Sequence, residues 1–410
     1  MKFQFTRLAA VAALTVTLAF TACDSGKEPV DMVNNRIGNI SHLLVPTFPT
    51  AHRPNSMLRM NPDHNEFVTD RMGGLPMNVP SHRQGNVTLM MPFCGDKSVV
   101  KFNYPYRYDH ETTSPYRYSV YFDDFGVLVD YAPAEHSAVM SYTFEQEGDR
   151  FVQLRNLNGN GKIYAEGNKM WGYDVYHGHN HYFYLEFDQT PVAFNGKDGD
   201  GIRYAQFAPE VTTVKARYGV SYIDEKQARK HMEREIPRFD IDKVAEAGRK
   251  AWNDCLGKIE IEGGTEDEQI VFYTALYRSH ERMINISEDG RYRSPFDKQI
   301  HDDKGMPYWT DDWAWDTYHA LHPLHTILNP EQETEKLNSF VRMYRESGWV
   351  PTFPTVYGDM HGMNGNHAAA IFADAMCKGI EFDVEGAFEG MKHTVLTETM
   401  IPWLRGKNTE

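Results

Sequence analysis

The sequence is short of cysteine and of basic residues, and both shortages argue against whole classes of protein. Cysteine occurs four times, at Cys23, Cys94, Cys255 and Cys377, and no two of these form a CxxC pair. Neither a zinc site nor a disulfide framework is therefore indicated. The chain has 42 Lys and Arg against 57 Asp and Glu, a formal net charge of −15. This balance argues against a nucleic-acid partner, because phosphate binding requires a basic surface.

Long hydrophobic runs are also lacking. The apolar stretch 8–20 follows Lys2 and Arg7 and is too short for a comfortable transmembrane helix. A basic start, an apolar stretch and small residues before a cleavage point are typical of a secretory signal. Phe20-Thr21-Ala22-Cys23 resembles a bacterial lipobox, with Phe20 at the position usually held by Leu. The alternative is ordinary cleavage beside an incidental cysteine.

We therefore predict a signal peptide at 1–22, lipidation of Cys23 and a polar lipoprotein tether at 23–30. This places the protein outside the cytoplasm, anchored in a bacterial envelope in the periplasm or on the outer-membrane surface. The predicted membrane contact is through the lipid anchor alone.

Aromatic side chains are abundant, at 13% of all residues. Flat rings stack on the apolar faces of sugars, although packing inside a large sandwich is the commoner reason for any single ring. Between residues 31 and 224, short β-type runs alternate with turn signals and no long helical period intrudes. This texture predicts a large antiparallel β-sandwich with strands at 98–104, 116–122, 138–145, 151–157, 181–187 and 211–222.

The texture becomes helical near residue 225. Helices at 225–235 and 241–256 indicate a helical linker over 225–264, and Thr265 to Glu268 has the pattern of a capping box. After a polar loop at 287–304, further helices are predicted at 312–328, 330–348, 366–378 and 383–399. Paired helices joined by long loops favour an (α/α)6 barrel over 265–410, left incomplete because too few helices are present to close it. The predicted fold class is thus multidomain β plus α.

The densest group of functional side chains lies at 308–318, which holds three Trp, two Tyr and three Asp. If Asp312 begins a helix, Asp312 and Asp316 share a face at i, i+4, and His319 lies on the same side. Two carboxylates beside the indoles of Trp313 and Trp315 could bind sugar hydroxyls while a ring stacks beneath. The alternative is a helix cap with tryptophans in the core.

A second candidate lies in the loop 348–367, which is rich in Gly, Pro and aromatic residues and separates two predicted helices. Such loops are a usual place for binding residues, and Asn366 and His367 are the candidates here. A purely structural loop is the alternative.

These segments occur in an order that carries a family resemblance. The stretches concerned are Phe272-Tyr273-Thr274-Ala275-Leu276-Tyr277, Asp289-Gly290-Arg291-Tyr292-Arg293, Trp315-Asp316-Thr317-Tyr318-His319-Ala320-Leu321-His322-Pro323, Ser347-Gly348-Trp349-Val350-Pro351, Gly365-Asn366-His367-Ala368, Ile371-Phe372-Ala373-Asp374-Ala375 and Lys378-Gly379-Ile380. In this order they resemble glycoside hydrolase family 92, the calcium-dependent exo-acting α-mannosidases.

The resemblance implies a β-sandwich followed by an (α/α)6 barrel, with the active site between them. It implies release of terminal α-linked mannose, with α-1,2 the expected linkage, by calcium-assisted inverting hydrolysis. One carboxylic acid then protonates the leaving oxygen while a carboxylate base activates water. Asp316 is the sugar-contacting carboxylate that carries over to this sequence. The general acid, the base and the main calcium ligands are expected beyond residue 410.

Two classes of function follow. The first is a truncated, catalytically incomplete α-mannosidase that acts on mannose-containing glycans. The alternative is a non-catalytic carbohydrate-binding surface lipoprotein that uses the sandwich and the Trp-rich segment as a platform. A third possibility is a fragment that folds only with a separately encoded C-terminal half.

Overall fold

The structure is a computed structural model that describes residues 26–41, 46–64, 68–81, 85–96, 105–360 and 365–397. The predicted signal peptide, Cys23 and the predicted strand 98–104 lie outside these residues. Among the helices that are described, none has the length and the apolar character needed to cross a membrane.

The described part of the N-terminal half is built almost entirely of β-strands. In chain order they are β1 (Ala51–His52), β2 (Arg59–Met60), β3 (Arg71–Met72), β4 (Leu75–Asn78), β5 (Val87–Cys94), β6 (Tyr106–Ser114), β7 (Arg117–Phe122), β8 (Val127–Pro133), β9 (Ser137–Phe144), β10 (Arg150–Arg155), β11 (Lys162–Glu166), β12 (Lys169–Tyr176), β13 (His179–Phe187), β14 (Ala193–Asn195), β15 (Ile202–Phe207) and β16 (Thr213–Ser221). The predicted strands within the described residues correspond to β7, β9, β10, β13 and β16.

These strands form two large antiparallel sheets. One has nine strands in the order β11-β12-β13-β16-β9-β8-β7-β6-β3, and the other has five in the order β14-β15-β10-β5-β4. Strands β12 and β13 alternate buried and partly exposed residues, as expected when one face of a sheet packs on a core. Phe93 and Phe151 from the smaller sheet join Phe183 and Phe187 from the larger one in that core. The predicted sandwich is confirmed.

The second half is mainly helical, with short strand pairs in its loops. The helices are α1 (Glu225–Glu235), α2 (Ile241–Leu256), α3 (Glu266–Arg278), α4 (Ala314–Thr317), α5 (Leu321–Leu328), α6 (Pro330–Ser347), α7 (Ala368–Cys377) and α8 (Val384–Leu396). The short strands are β17 (Ile284–Asn285), β18 (Arg291–Arg293), β19 (Ile300–Asp302), β20 (Trp309–Thr310), β21 (Pro354–Thr355) and β22 (Gly358–Asp359). The pairing of β18 with β19 puts a hairpin inside the stretch 287–304, which was predicted as a loop.

The two predicted linker helices pack on the outer face of the nine-stranded sheet. A Cβ atom added at Gly219 on β16 would lie 2.1 Å from the carbonyl oxygen of Ala228 on α1, so glycine is needed for this close approach. Helix α2 buries Val244 and Ala245 against Ala132 and Val139 of the sheet. The linker therefore belongs to the packed structure of the sandwich.

The predicted tether also ends in packed structure. Pro29–Met32 form a 3-10 helix whose Val30 and Met32 are buried in a cluster with Trp252 and Tyr277. Asp31 also pairs with Arg249 at 2.6 Å. The difference arises because Val30 and Met32 alternate with polar residues and can bury one apolar side.

The prediction of one helix over 312–328 was wrong. The chain forms the short helix α4 and then restarts as α5 at Leu321. Trp313 and Ala320, which precede the two helices, both have non-helical backbone angles. Pro323 explains the restart, because proline is tolerated in the first turn of a helix and disrupts the interior of a longer one.

Candidate functional site

The Trp-rich segment begins on a short strand and then turns toward solvent. Residues Trp309–Thr310 form β20, which pairs with β17. Asp311 follows with a left-handed φ of 65°, which redirects the chain. Trp315 is 47% exposed on α4, and Asp316 beside it is exposed as well. An indole and a carboxylate are thus available to a ligand at the same helix turn.

The second predicted loop lies directly against this segment. The backbone N–H of Asp312 donates to the carbonyl oxygen of Pro354 at 2.8 Å. The rings of Trp313 and Phe353 lie 5.1 Å apart, and the ring of Tyr318 stacks on His367 with centroids 4.5 Å apart. The structure therefore brings together the two candidate regions that the sequence suggested separately.

The sandwich also contacts the segment 308–318 and the loop 348–367, and we call the place where these three parts meet the junction. His177, in the turn between β12 and β13, stacks on Tyr357 with ring centroids 4.2 Å apart. Arg59 of β2 pairs with Asp311 at 2.7 Å, and the hydroxyl of Ser81 donates to Asp311 at 3.0 Å. Arg59 and Asp311 are both fully buried. The Trp-rich turn is therefore fixed to the sandwich.

A cation also holds the partly buried indole of Trp313 in place. The guanidinium carbon of Arg282 lies 3.4 Å from the centroid of a Trp313 ring. A cation over an indole face is attractive, and more so when both groups are shielded from water. Arg282 is itself buried, at 7% exposure, so this contact restrains the Trp313 ring on the face that the guanidinium covers.

Behind the turn lies a buried chain of alternating charges. Asp312 Oδ2 is 3.0 Å from His322 Nε2, and His322 Nδ1 is 2.6 Å from Glu333 Oε1. The other Glu333 carboxylate oxygen is 3.7 Å from Lys336 Nζ, which lies 3.2 Å from His325 Nδ1. This chain links the Trp-rich turn to α5 and α6.

The protonation states of these buried side chains follow from their geometry. Burial alone would lower the pKa of His322, but the carboxylates of Glu333 and Asp312 raise that pKa to about 10. Burial would likewise raise the pKa of Asp312, and the His322 cation instead holds that pKa below its ordinary value. Burial and the Lys336 cation lower the pKa of His325, which is therefore neutral. At neutral pH the Asp312–His322 contact is thus a buried ion pair.

The prediction that Asp312 and Asp316 share a helix face was wrong. Helix α4 begins only at Ala314, so Asp312 precedes it and is fully buried while Asp316 is exposed. Within the described residues, Asp312 Oδ1 and both amide atoms of Asn366 are buried without a hydrogen-bond partner. Buried polar atoms are normally paired, so these atoms could be satisfied by a ligand or by ordered water.

The described residues of this junction include no group of three acidic, histidine or cysteine side chains close enough to share a metal ion. Calcium takes about six to eight oxygen ligands, mostly from carboxylates and carbonyls. In the described part of the chain, the group of acidic and histidine side chains close enough to hold a metal is Glu135, His136 and Glu235, within 4.8 Å of one another. That group lies beside the linker helix α1, and His136 is occupied by an ion pair with Glu235 at 2.8 Å.

Comparison with known proteins identifies the family. Residues 32–221 match the Glycosyl hydrolase family 92 N-terminal domain, and residues 227–409 match the Glycosyl hydrolase family 92 catalytic domain. The chain belongs to glycosyl hydrolase family 92. It contains residues of both family domains, with the boundary at the start of the linker helix α1.

Solved family 92 structures share this fold. The inverting mannosidase BT2199 from Bacteroides thetaiotaomicron VPI-5482 superposes with a TM-score of 0.82 at 27% identity, over 91% of this chain and 56% of that one. The α-mannosidase BT3965 from Bacteroides thetaiotaomicron, at 21% identity and a TM-score of 0.81 over 92% of this chain and 59% of that one, supports the fold alone. The β-sandwich and helical-barrel architecture is confirmed.

A curated relative from Arthroderma benhamiae (strain ATCC MYA-4681 / CBS 112371), an "Uncharacterized secreted glycosidase", is 28% identical over 193 residues, which are 46% of this chain and 21% of that protein. The chain thus spans little more than half of the solved family 92 enzymes and about a fifth of this relative.

Several residues of the family 92 junction were missed by the sequence analysis. Arg59 and His177 lie in the sandwich, and no local pattern links them to the Trp-rich segment. A signal did exist for the buried chain of charges. His322 and His325 are spaced i, i+3, as are Glu333 and Lys336 on the next helix, and such pairs face a common neighbour when consecutive helices pack.

Proposed function

We propose that this family 92 chain provides the sandwich and the sugar-binding wall of an α-mannosidase. The whole protein would release terminal α-linked mannose from glycans by inverting hydrolysis, with α-1,2 the preferred linkage. The supporting observation is the exposed pair Trp315 and Asp316, three and two positions before Tyr318, whose ring stacks on His367. Because the chain spans 56% of the solved inverting mannosidase, turnover is proposed for the whole protein and sugar binding for this chain.

The roles of the binding residues follow from their chemistry. The Asp316 carboxylate accepts hydrogen bonds from sugar hydroxyls, and the Trp315 indole stacks on the apolar face of the ring. The Asn366 amide can donate and accept at once, which suits two neighbouring hydroxyls. The Trp313 indole, restrained by Arg282, completes the wall. Asp312 supports the wall from behind through its ion pair with His322.

Calcium dependence is part of the proposal for the whole protein. An inverting hydrolase also needs two carboxyl groups about 6.5–9.5 Å apart, one acid and one base. Neither these two roles nor calcium ligation is assigned to a residue of the described chain. Because sugar binding is assigned to this chain and turnover to the whole protein, we expect this chain to bind a mannoside without cleaving it efficiently.

The first experiment measures sugar binding by the 410-residue chain. Methyl α-mannoside is titrated calorimetrically, and Asp316→Asn is expected to weaken affinity by about tenfold or more, since a hydrogen bond to a charged group contributes about 1.5–3 kcal/mol. Glu389→Gln, which neutralises an exposed carboxylate on α8, serves as the matched control. Unchanged affinity in Asp316→Asn would overturn the assigned role.

The second experiment separates an enzyme from a carbohydrate-binding protein. The chain and the whole protein are incubated with α-1,2-mannobiose in the presence of calcium, and released mannose is measured. Turnover by the whole protein and binding by this chain support the proposal. Binding without turnover in both favours a non-catalytic carbohydrate-binding lipoprotein.

Lipid anchoring completes the proposal and rests on the sequence around Cys23, which lies outside the described residues. The curated relative is described as secreted. Expression in a bacterium followed by fractionation is expected to place the protein in the membrane pellet and the Cys23→Ser variant in the soluble fraction. A soluble wild-type protein contradicts the anchor without touching the sugar-binding proposal.

A further inference from the structure

A cluster of partly exposed aromatic rings lies on the outer face of the nine-stranded sheet, away from the Trp-rich turn. We call it the outer aromatic face, and its members are Tyr164, Trp171, Tyr173, Tyr182 and Tyr184. The pairing of β11, β12 and β13 places Tyr164 beside Trp171, Trp171 beside Tyr184, and Tyr173 beside Tyr182. The Tyr164 and Trp171 rings stack at 6.1 Å, and the Tyr173 and Tyr182 rings lie 5.7 Å apart.

The core of the sandwich does not require these rings. The alternate residues of the same strands, Met170, Phe183 and Leu185, already fill the inner face and are at most 1% exposed. Solvent-facing positions of an antiparallel sheet are usually polar, so partly exposed aromatic side chains on two adjacent rows are unusual there. A ligand that needs flat apolar surfaces would account for them.

The linker helix α1 limits this face on one side without covering it. It packs over Gly219 of β16, the residue that pairs with Tyr184. Arg229 of α1 places its guanidinium carbon 5.5 Å from the Tyr184 ring. Helix α1 packs mainly on β16 and β13 and only slightly on β12. The rings of β11 and β12 therefore lie at its edge and, together with the helix, form a shallow ledge.

The chemistry of the ledge points to an uncharged ligand with many hydroxyls. The charged residues along its border nearly balance. Glu186 pairs with Arg217 and Arg229 with Glu233, while Lys169 lies opposite Glu166 and Glu186 on the paired strands. Lys162, opposite Tyr173, adds one positive charge. Four of the five rings are tyrosines, whose hydroxyls donate and accept, and the Tyr182 hydroxyl already accepts from Asn180 at 2.9 Å. Flat rings, hydroxyls and nearly balanced charges are suited to carbohydrate.

The outer aromatic face is also continuous with the Trp-rich junction. Strand β12 runs from Trp171 through Tyr173 to the turn that holds His177, which stacks on Tyr357. The four residues from Tyr173 to His177 cover about 13 Å, so the nearest ring of the face is separated from the junction by the length of a few sugar units. One branched glycan can therefore reach both.

We propose that the outer aromatic face is a second binding site, which holds a neutral mannose-containing glycan chain while its terminal sugar occupies the junction. The assignment of mannose rests on the proposed function, whereas the site itself rests on the rings and their charge balance. Trp171 is its central residue because it pairs with both Tyr164 and Tyr184.

The test is affinity electrophoresis of the full chain in gels that contain soluble yeast α-mannan. Trp171→Ala is expected to weaken mannan affinity by about tenfold, while Trp171→Phe, which keeps a flat ring, retains most of it. Phe388→Ala, which removes a 66% exposed ring on α8, is the matched control. Affinity for methyl α-mannoside, which occupies the junction alone, should be the same in Trp171→Ala as in the wild type. Thermal melts establish that each variant is folded, and Tyr173→Ala replaces Trp171→Ala if the latter fails to fold.

Each outcome decides between the readings. Mannan retention that does not change in Trp171→Ala or Tyr173→Ala overturns the second site and leaves the proposed function standing. A Trp171-dependent retention by soluble starch, with none by mannan, keeps the site and refutes mannose as the sugar. A concentration-dependent dimer in sedimentation experiments that Trp171→Ala abolishes would show a protein interface and overturn the proposal.

Discussion

The buried ion pair between Arg59 and Asp311 joins the sandwich to the Trp-rich turn, and Asp311→Asn tests how much it contributes. The substitution keeps the shape of the side chain and removes its charge. The fully buried Arg59 guanidinium would keep its hydrogen bonds to the carbonyl oxygens of Val79, Pro80 and Glu281, but these are neutral partners. An uncompensated cation would therefore be left inside the protein.

The magnitude follows from that burial. Breaking a buried pair by removing one partner costs about 3–5 kcal/mol, because the remaining charge stays away from water. Ser81→Ala removes a single hydrogen bond to the same carboxylate, 3.0 Å long, and should cost less, about 1.5–3 kcal/mol. The double variant Arg59→Met with Asp311→Asn should recover much of the loss, since replacing both charged groups of a buried pair is often neutral. Asparagine also tolerates the left-handed φ of 65° at this position.

The assay is urea unfolding followed by near-ultraviolet circular dichroism, which reports on the packed tryptophans. A chain of several packed units need not unfold in one step, so the first transition is the quantity compared between variants. The reasoning is refuted if Asp311→Asn lowers the unfolding free energy by less than about 1 kcal/mol. It is also refuted if the double variant is no more stable than the single one.

Three further predictions concern other parts of the chain. Burial raises the pKa of Glu288 from 4.5 to about 7, so its contribution to stability is full below its unfolded pKa and is lost as the pH rises through about 7. The unfolding free energy should therefore decline between about pH 5 and about pH 8, and Glu288→Gln should flatten that decline. An unchanged slope in Glu288→Gln would contradict this. Gly219→Ala should lower the unfolding free energy by about 1–3 kcal/mol, because the new methyl group would lie 2.1 Å from the Ala228 carbonyl oxygen. Gly201→Ala, whose new methyl group would lie an ordinary 3.7 Å from the nearest atom, tests the effect of losing glycine alone. A bound ion would stabilise the folded state, so its removal would lower the melting temperature. Because calcium ligation is assigned to no described residue of this chain, EDTA should leave its melting temperature within about 1 °C. A fall of several degrees would reveal a calcium site.

The sandwich could be predicted from the sequence because its signals are local. Strand β16 alternates partly exposed Thr213, Lys215 and Arg217 with buried Val214, Ala216 and Tyr218, and that alternation is visible in the sequence itself. Turn residues separate the strands in the same way. The order in which the strands pair could not be predicted in this way. Strand β9 lies between β8 and β16, and no short stretch of sequence encodes the contacts that place it there.

The helix ends could be predicted where a side chain caps its own backbone. Thr265 and Glu268 form the predicted capping box, in which the Glu268 carboxylate accepts from the Thr265 N–H at 2.7 Å. The region 312–328 failed for the opposite reason. Its helical spacing of polar and apolar residues was real, but Asp311 and Asp312 are held by partners from distant segments, and this fixes the backbone outside a helix.

Family membership could be predicted from the order of the motifs, whereas the support of the site could not. Ser81 and Asp311 are 230 positions apart in the sequence and meet only when the sandwich packs on the helices. The roles of Asp316, Trp315, Asn366 and His367 as sugar ligands remain predictions. The structure adds that Trp315 and Asp316 are accessible and that Asn366 contains buried, unpaired polar atoms within the described region.

The three aspartates of the Trp-rich segment show how the fold turns a cluster of like charges into a single binding group. Three adjacent free carboxylates would repel one another and hydrate strongly, which disfavours a defined site. Asp311 is instead neutralised by Arg59 and Asp312 by His322, both inside the protein. Asp316 alone stays exposed. The buried pairs thus hold the backbone of the turn and leave one negative charge at the surface, where a sugar hydroxyl can reach it.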